Sequence, residues 1–211
     1  MQNRLSLPAS WFLSGKYRKT TLDARQRAIL DWAEVDDHHA VLDVDCGEGE
    51  LLLRLRERYN LRACGMIAPD ETKLLVGETA GQGTEILRAD CTDIPWRDNS
   101  FDTVFITRDL RISRQTDAFL QEVIRVLKPG GRLLAITKCL LPALPFCKRA
   151  SHRKISASHY SNPYDLMYRF ELCGFSDVTM RLSRFRFATV IARKADPVLL
   201  TAVPRLAGQD S

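Results

Sequence analysis

The chain has 211 residues, of which 45% are hydrophobic and 27% are charged, and its formal net charge is +5. This length fits one domain with a sizeable core, and the composition is ordinary for a soluble globular protein. The longest apolar stretch, CLLPALPFC, is broken by two prolines and is too short to cross a bilayer, and the N-terminal residues lack the apolar core of a signal peptide.

Cysteine usage indicates a reducing compartment. No CxxC pair occurs among the six cysteines, which are Cys46, Cys64, Cys91, Cys139, Cys147 and Cys173. We therefore expect free thiols and a cytoplasmic location. Cys139 and Cys147 with His152 match no standard zinc spacing, so no metal is expected.

Much of the positive charge lies in two basic clusters, GKYRK near the start and CKRASHRK at residues 147–154. Such clusters usually form a solvated surface, and otherwise they indicate an acidic substrate or nucleic acid. Charge alone therefore leaves the partner open.

The first half of the chain alternates helices with short apolar strands. A threonine cap, an acid in the first turn and apolar residues at helical spacing predict a helix over residues 21–33. Buried strands are predicted at AVLDV, LRACGMI, TEILRA and FDTVFIT. A helix is predicted after the first strand, through Leu55, and another over DETKLLVGETA.

The second half continues this alternation. QTDAFLQEVIRVL places its apolar residues on one helical stripe, and KPGG stops the helix because neither proline nor paired glycines suit a helix interior. A fifth strand, RLLAIT, is followed by the helix PYDLMYRFELCG and by two strands around a turn near Ser183. Strands that alternate with helices predict an α/β fold with a parallel sheet, here ending in a hairpin.

The segment VLDVDCGEGELLLRL, residues 41–55, has the form of a ligand-binding turn. Asp43 ends the first strand, Gly47 and Gly49 let the backbone approach a ligand, and the next helix offers free N–H groups to an anion. A dinucleotide site would need a third glycine where Leu52 stands, and no GK[ST] of a P-loop follows. The two glycines alone are also compatible with a structural turn.

Three stretches in this order, VLDVDCGEG, ADCTDIPWRDNSFDTVF and FLQEVIRVLKPGGRLLAIT, closely resemble the class I S-adenosylmethionine-dependent methyltransferases, especially their small-molecule branch. The resemblance covers residues 21–194. It implies a doubly wound, Rossmann-like sheet of seven strands with an antiparallel last strand, and S-adenosylmethionine across the carboxyl ends of the first strands. We expect one methyltransferase-like domain at residues 1–194 with an N-terminal helical cap, and an extension or partly disordered segment at 195–211.

Carried over residue by residue, the resemblance implies a cofactor site. Gly47 and Gly49 are expected beneath the methionine and ribose portions, Asp90 matches the acid that accepts from the adenine amino group, and the backbone of Cys91 would meet the adenine ring. The expected cofactor-binding residues are Asp43, Asp45, Gly47, Gly49, Ile67, Asp90, Cys91 and Thr107. Asp102 and the LKPGG turn match structural parts of the family.

Two of these positions depart from the family pattern. Asp45 stands where the family has glycine or alanine, but aspartate tolerates unusual backbone angles and its charge suits the methionine ammonium. Ile67 stands where the family places an acid on the ribose hydroxyls. Losing a hydrogen bond to a charged group, worth about 1.5–3 kcal/mol, predicts cofactor binding about 10- to 100-fold weaker than in relatives with that acid.

The catalytic side of the site is less defined. Weak candidates for a general base are Asp109, His159 and Tyr160, with His152 nearby in sequence, and for each a polar surface role is the competing interpretation. Arg111 and Ile112 stand where many relatives carry a histidine pair, so a common base of the family is missing.

Three functions remain open from the sequence. The first is a methyltransferase acting on a small molecule, for which the basic residues 147–154 favour negative charge. The second is a non-catalytic protein of the same fold that binds a partner or a different ligand, motivated by Ile67 and the missing histidines. The third is a basic RNA- or protein-modifying enzyme, although no [DNS]PP[YFW] motif for methylation of a base amine follows the fourth strand and nucleic acid is not an expected partner.

Overall fold

At the centre of the structure lies a seven-stranded sheet in the order β3-β2-β1-β4-β5-β7-β6. The structure is a computed structural model, and it describes residues 29–30, 32–47, 49–70, 84–107, 116–138, 163–183 and 187–196. Its strands are β1 (Ala40–Val44), β2 (Arg62–Ile67), β3 (Thr84–Arg88), β4 (Phe101–Ile106), β5 (Leu127–Lys138), β6 (Phe175–Ser183) and β7 (Phe187–Lys194). Strand β7 pairs antiparallel with both β5 and β6, whereas β1 to β5 pair in parallel. The predicted fold, with its closing hairpin and antiparallel last strand, is confirmed.

Helices cover both faces of this sheet, because successive strand residues point to opposite sides. The helices within the described residues are α1 (Glu50–Arg58), α2 (Thr116–Val126) and α3 (Pro163–Cys173). On one face, α2 and α3 pack Leu120 and Phe170 into a cluster with strand residues such as Leu42. On the other face, the buried leucines of α1 join a second cluster that contains Val41 and Ile67.

Helix α1 follows the glycine turn and forms for reasons visible in its sequence. Leu51, Leu52 and Leu55 are buried along one side. Glu50 in the first turn and basic residues in the last turn complement the helix dipole. The helix continues to Arg58, one turn beyond the predicted end at Leu55.

The KPGG segment differs from its prediction, because it belongs to β5 rather than to a separate turn. Helix α2 ends at Val126, and β5 begins at once with Leu127 paired to Phe101. The register then shifts, so that the next pair is Thr103 with Arg132. Gly130 takes a φ of 73° inside this irregularity, which is why the chain can turn there without leaving the sheet.

Two predicted helices fall wholly or mostly outside the described residues. Of the helix predicted over residues 21–33, the described part includes the helical Ile29 and Leu30, and the helix predicted over DETKLLVGETA lies almost entirely beyond it. Within the parts of the chain that are described, no helix has both the length and the apolar character needed to cross a membrane.

Candidate cofactor site

The carboxyl ends of β1, β2 and β3 meet at one edge of the sheet, and two backbone hydrogen bonds join the loops after β1 and β3 to the end of β2. The N–H of Cys46, after β1, donates to the carbonyl of Met66 in β2 over 2.9 Å, and the N–H of Ala89, after β3, donates to the carbonyl of Ile67 over 3.1 Å. Ligands of open α/β sheets bind at this edge. The glycine turn and the Asp90 turn therefore flank the same end of β2.

The turn after β1 is wound by three residues in the left-handed region. Their φ values are 62° for Asp45, 57° for Gly47 and 74° for Gly49. Gly49 also caps α1, and its carbonyl accepts from the N–H of Leu53 over 3.0 Å. Glycine suits such a left-handed position best, and aspartate is among the few other residues that adopt it readily.

The turn lies close against β2, and Gly65 makes this approach possible. A Cβ atom at Gly65 would come within 2.7 Å of Cys46 Sγ and 2.9 Å of Leu52 Cδ1, both closer than real Cβ contacts. Cys46 is a buried free thiol. The absence of a side chain at Gly65 thus sets how tightly the turn and α1 pack on the sheet.

Asp43 and Thr107 come together although they lie 64 residues apart in the sequence. Strands β1 and β4 are neighbours, and the Thr107 hydroxyl, just past β4, donates to Asp43 Oδ1 over 3.2 Å. Asp43 is almost fully buried, with 1% of its surface exposed. Because a buried carboxylate needs hydrogen-bond donors, this contact fixes the acid beneath the glycine turn.

Asp90 organises the turn after β3. Its Oδ1 atom accepts from the backbone N–H of Thr92 over 2.8 Å and from the Thr92 hydroxyl over 2.7 Å. The hydrogen bonds from Thr92, backbone first, lower the pKa of this exposed carboxyl. Asp90 is therefore ionised at neutral pH, and a carboxylate with about four acceptor positions keeps capacity for a further donor.

The environment of Cys91 links the two turns. Burial is the main cause that raises the pKa of its thiol, and the negative charges of Asp90 and of Asp45 raise it further. The carboxylates of Asp45, after β1, and of Asp90, after β3, thus both act on the side chain of Cys91. The edge of the sheet gathers negative charge at this place.

Ile67 occupies the strand end predicted for it but does not have the surroundings of a polar ligand. Its side chain is fully buried in the apolar cluster that includes Leu51 and Leu52 of α1. An acid introduced there would place a charge among leucines, at a considerable cost in stability. The departure from the family pattern is therefore built into the packing of β2 against α1.

The predicted catalytic side of the pocket lies outside the described residues. This applies to Asp109, His159 and Tyr160, to His152, to Arg111 and Ile112, and to the basic cluster at residues 147–154.

Arg125 and Glu122 on α2 were not singled out from the sequence, yet they hold the loop that continues from the Asp90 turn. Arg125 donates to the carbonyls of Ile94 and Trp96, each over 2.8 Å. Glu122 accepts from the N–H of Ile94 over 2.9 Å and pairs with Arg125 over 2.7 Å. The sequence signal was a basic residue three positions after an acid, which is common on helix surfaces and does not indicate a loop contact.

A family model described as "Methyltransferase domain" matches residues 42–135, which span the glycine turn, the Asp90 turn and the KPGG segment. These residues match a methyltransferase domain, and the curated relatives and structural neighbours below support the class I S-adenosylmethionine-dependent type. The predicted family is confirmed, and the carboxyl-edge site described above lies within the matched methyltransferase segment.

Curated relatives include methyltransferases with different substrates in their names. A sterol 4-C-methyltransferase of Caenorhabditis elegans is 27% identical over 69% of this chain and 42% of its own length. A ubiquinone/menaquinone biosynthesis C-methyltransferase of Dinoroseobacter shibae is 31% identical over 54% of this chain and 48% of its own. A phosphoethanolamine N-methyltransferase of Triticum aestivum is 24% identical over 80% of this chain and 34% of its own. The chain thus spans less than half the length of these relatives.

Solved structures share the fold of this methyltransferase domain at low sequence identity. An S-adenosylmethionine-dependent methyltransferase from Aquifex aeolicus aligns with a TM-score of 0.63 and 18% identity, over 81% of this chain and 89% of that chain. A Haemonchus contortus phosphoethanolamine N-methyltransferase 2 in complex with S-adenosyl-L-methionine aligns with a TM-score of 0.60 and 16% identity, over 82% of this chain and 52% of that chain. The [4+2]-cyclase SpnF aligns with a TM-score of 0.62 and 18% identity, over 81% of each chain.

Proposed function

We propose that this chain is a methyltransferase that binds S-adenosylmethionine at the carboxyl edge of its sheet and methylates a small molecule. The observation that carries the proposal is the left-handed turn of Asp45, Gly47 and Gly49, which follows the buried Asp43 and lies near enough to the Asp90 turn for the charge of Asp45 to act on Cys91. The family match of residues 42–135 and the structural neighbour in complex with S-adenosyl-L-methionine support it.

The chemistry of the residues at this edge fits the cofactor. S-adenosylmethionine carries an ammonium and a sulfonium, and the carboxylates at this edge are the exposed Asp90, the half-buried Asp45 and the buried Asp43. Gly47 and Gly49 have no side chain to hold a ligand away from the backbone, and the first turn of α1, which Gly49 caps, has N–H groups without an intrahelical acceptor. A positively charged ligand with polar ends therefore finds both charge complementarity and close backbone approach.

Each residue of the site has a binding or orienting role in this proposal. Asp45 pairs with the methionine ammonium, Asp90 accepts from the adenine amino group, and the backbone of Cys91 meets the adenine ring. Thr107 orients Asp43 through the hydrogen bond to Oδ1. When bound, the cofactor supplies an electrophilic methyl group, so the protein contributes mainly alignment, which can lower a barrier by about 7–11 kcal/mol.

The class of methyl acceptor that we propose is inferred from the names of the relatives and from the sequence. Sterol, quinone and phosphoethanolamine methyltransferases are all enzymes of small molecules, and this supports a small-molecule acceptor here. The basic residues 147–154 of the sequence favour an acceptor with negative charge. Nucleic acid is not part of the proposal.

Transfer of a labelled methyl group tests this function directly. Protein and methyl-labelled S-adenosylmethionine are incubated with a sterol, a demethylated quinone or phosphoethanolamine, and each product is analysed by mass. We expect label in a small molecule and stoichiometric S-adenosylhomocysteine. Binding of the cofactor without transfer to any acceptor class would favour the second candidate below.

A non-catalytic protein of the same fold is the second candidate, and the burial of Ile67 favours it. The strand end that offers an acid to the ribose in relatives is here part of an apolar cluster. Similarity of fold to a protein named as a [4+2]-cyclase is compatible with a use of this fold other than methyl transfer.

The domain limits, residues 1–194 with the extension 195–211, belong to the same proposal, as does a cytoplasmic location. Four cysteines of the described residues, Cys46, Cys64, Cys91 and Cys173, are free thiols. Thiols of this kind are usual in a reducing compartment.

A further inference from the structure

The end of β2 lies between the two turns that the proposed function assigns to the two ends of the cofactor. Strand β2 is the neighbour of both β1 and β3 in the sheet. With the methionine end at the glycine turn after β1 and the adenine at the Asp90 turn after β3, the ribose that joins them crosses the carboxyl end of β2. This placement of the ribose rests on the proposed function.

The side chains at the end of β2 are apolar. Met66 and Ile67 are 2% and 0% exposed, and they belong to the apolar clusters on the two faces of the sheet. The exposed residues Ala68 and Pro69 follow. Alanine and proline have no side-chain group that donates or accepts a hydrogen bond, and proline also lacks a backbone N–H. These four residues therefore offer the ribose no polar side chain.

The last two carbonyls of β2 already have hydrogen-bond partners in the flanking turns. The carbonyl of Met66 accepts from the N–H of Cys46 over 2.9 Å, and that of Ile67 accepts from the N–H of Ala89 over 3.1 Å. The polar backbone groups of this strand end thus hold the two turns against β2. They serve the shape of the site and bind the protein to itself.

The next carboxylate along the chain is Asp70, three residues after Ile67 and exposed in the following turn. No hydrogen bond or ion pair with any of the described residues orients it, whereas Asp90 is oriented by two hydrogen bonds from Thr92. A free side chain loses conformational entropy when it binds a hydroxyl, which offsets the gain from the hydrogen bond. Asp70 is therefore a poor substitute for an acid at position 67.

We propose that this chain recognises its cofactor by the adenine and methionine ends and gains no affinity from the ribose hydroxyls. A hydroxyl that meets no partner contributes nothing to binding, and one that loses water without a new hydrogen bond weakens it. Adenosyl ligands that lack the 2′- or 3′-hydroxyl thus belong to the ligand class of this site, together with S-adenosylmethionine and S-adenosylhomocysteine.

Calorimetric titration of the full chain with four ligands tests this selectivity. S-adenosylhomocysteine is compared with analogues that lack the amino group of adenine, the 2′-hydroxyl or the 3′-hydroxyl. Loss of the amino group should weaken binding about tenfold, because Asp90 loses its donor, and loss of either hydroxyl should change the affinity less than about twofold.

The outcomes separate this inference from the proposed function. A tenfold loss for either hydroxyl, with tight binding of S-adenosylhomocysteine itself, would overturn the inference and leave the cofactor site in place. No binding of S-adenosylhomocysteine would contradict the proposed function. An unchanged affinity without the amino group would remove the adenine from Asp90, and the placement of the ribose over β2 would fall with it.

Two exposed aspartates in neighbouring turns provide matched variants. Asp70→Ala should leave the affinity for S-adenosylhomocysteine unchanged, whereas Asp90→Ala should lower it about tenfold. A loss of affinity for Asp70→Ala that disappears with the deoxy analogues would assign the ribose hydroxyls to Asp70 and would overturn the proposal.

Discussion

At the end of β1, the buried Asp43 carboxylate is held by a donor from the neighbouring strand end. The hydroxyl of Thr107 reaches it over 3.2 Å, and both residues belong to the cofactor site that we propose. Asp45 next to it has a left-handed backbone and a charge that acts on Cys91. Asp43 is thus buried and Asp45 has an unusual φ, and each of them also has the binding or orienting role that we propose.

Thr107→Val removes one hydrogen bond from Asp43 while keeping the shape of the side chain. We expect the affinity for S-adenosylmethionine to fall about tenfold, because a hydrogen bond to a charged group contributes about 1.5–3 kcal/mol and the acid is then less well positioned. Titration calorimetry measures the change. Thr107→Ser retains the hydroxyl and is the control, and equal affinities of the two variants would contradict this role of Thr107.

Asp102 makes stability depend on pH. Burial would raise its pKa, but the hydrogen bond from the N–H of Ala40 and the contact with Lys128, each 2.8 Å long, hold it below its ordinary value. The pKa of this carboxyl is lower in the folded protein than in the unfolded chain, where it is about 3.9. Its contribution to stability is therefore complete at pH values above about 3.9, and it is lost as the pH falls through the pKa of the folded state.

Asp102→Asn should therefore reduce the free energy of unfolding most at neutral pH, with the difference from wild type shrinking below about pH 4. Urea unfolding across this pH range checks the prediction. Lys128→Met removes the charged partner and should reproduce part of the loss. A difference between wild type and Asp102→Asn that is the same at every pH would show that the charge of Asp102 is not the cause.

At the scale of elements, α2 and the loop between β3 and β4 form one unit through Arg125. Its guanidinium binds two loop carbonyls and pairs with Glu122 and Asp98, and the N–H of Asn99 in turn donates to the Arg125 carbonyl over 3.0 Å. This loop starts from the Asp90 turn. Helix α2 thereby supports the adenine side of the proposed site from below.

Arg125→Met should destabilise the protein by about 1.5–3 kcal/mol, because it leaves loop carbonyls and Glu122 without their donor. It should also weaken S-adenosylmethionine binding through the Asp90 turn. Chemical denaturation and calorimetry on the same samples give both quantities. Arg54→Met, which removes a surface pair with Glu57, is the control and should cost less than about 1 kcal/mol. Similar losses for both variants would argue against a special role of the loop contacts.

The elements show why the sequence predicted some features and missed others. Apolar runs and helical stripes predicted the strands and helices, because an element that buries one or both of its faces has apolar residues at regular spacing or in a continuous run in its sequence. The KPGG segment was misjudged because residues that stop a helix can still enter a strand irregularity, which depends on pairing with Phe101. Arg125 was missed because its contacts reach loop residues 27 to 31 positions away and follow no period.

For the whole molecule, the doubly wound sheet of seven strands with an antiparallel last strand was predicted from the resemblance to a family and not from local patterns, and the order of the strands was not predicted. No local signal tells that β1 lies between β2 and β4, and this placement is what brings Asp43 to Thr107 and the glycine turn to the Asp90 turn. The residues of the proposed cofactor site were named from motifs and remain a prediction, whereas the burial of Ile67 follows from the packing of α1 on β2.

Calorimetric titration with S-adenosylmethionine tests the central claim most directly, using the full chain, Asp90→Ala and, as a charge-matched control in the same loop, Asp93→Ala. The account predicts one site per chain, about tenfold weaker binding for Asp90→Ala, and unchanged binding for Asp93→Ala. No measurable binding at millimolar cofactor, or equal affinities for the two variants, would contradict a cofactor site between the glycine turn and Asp90.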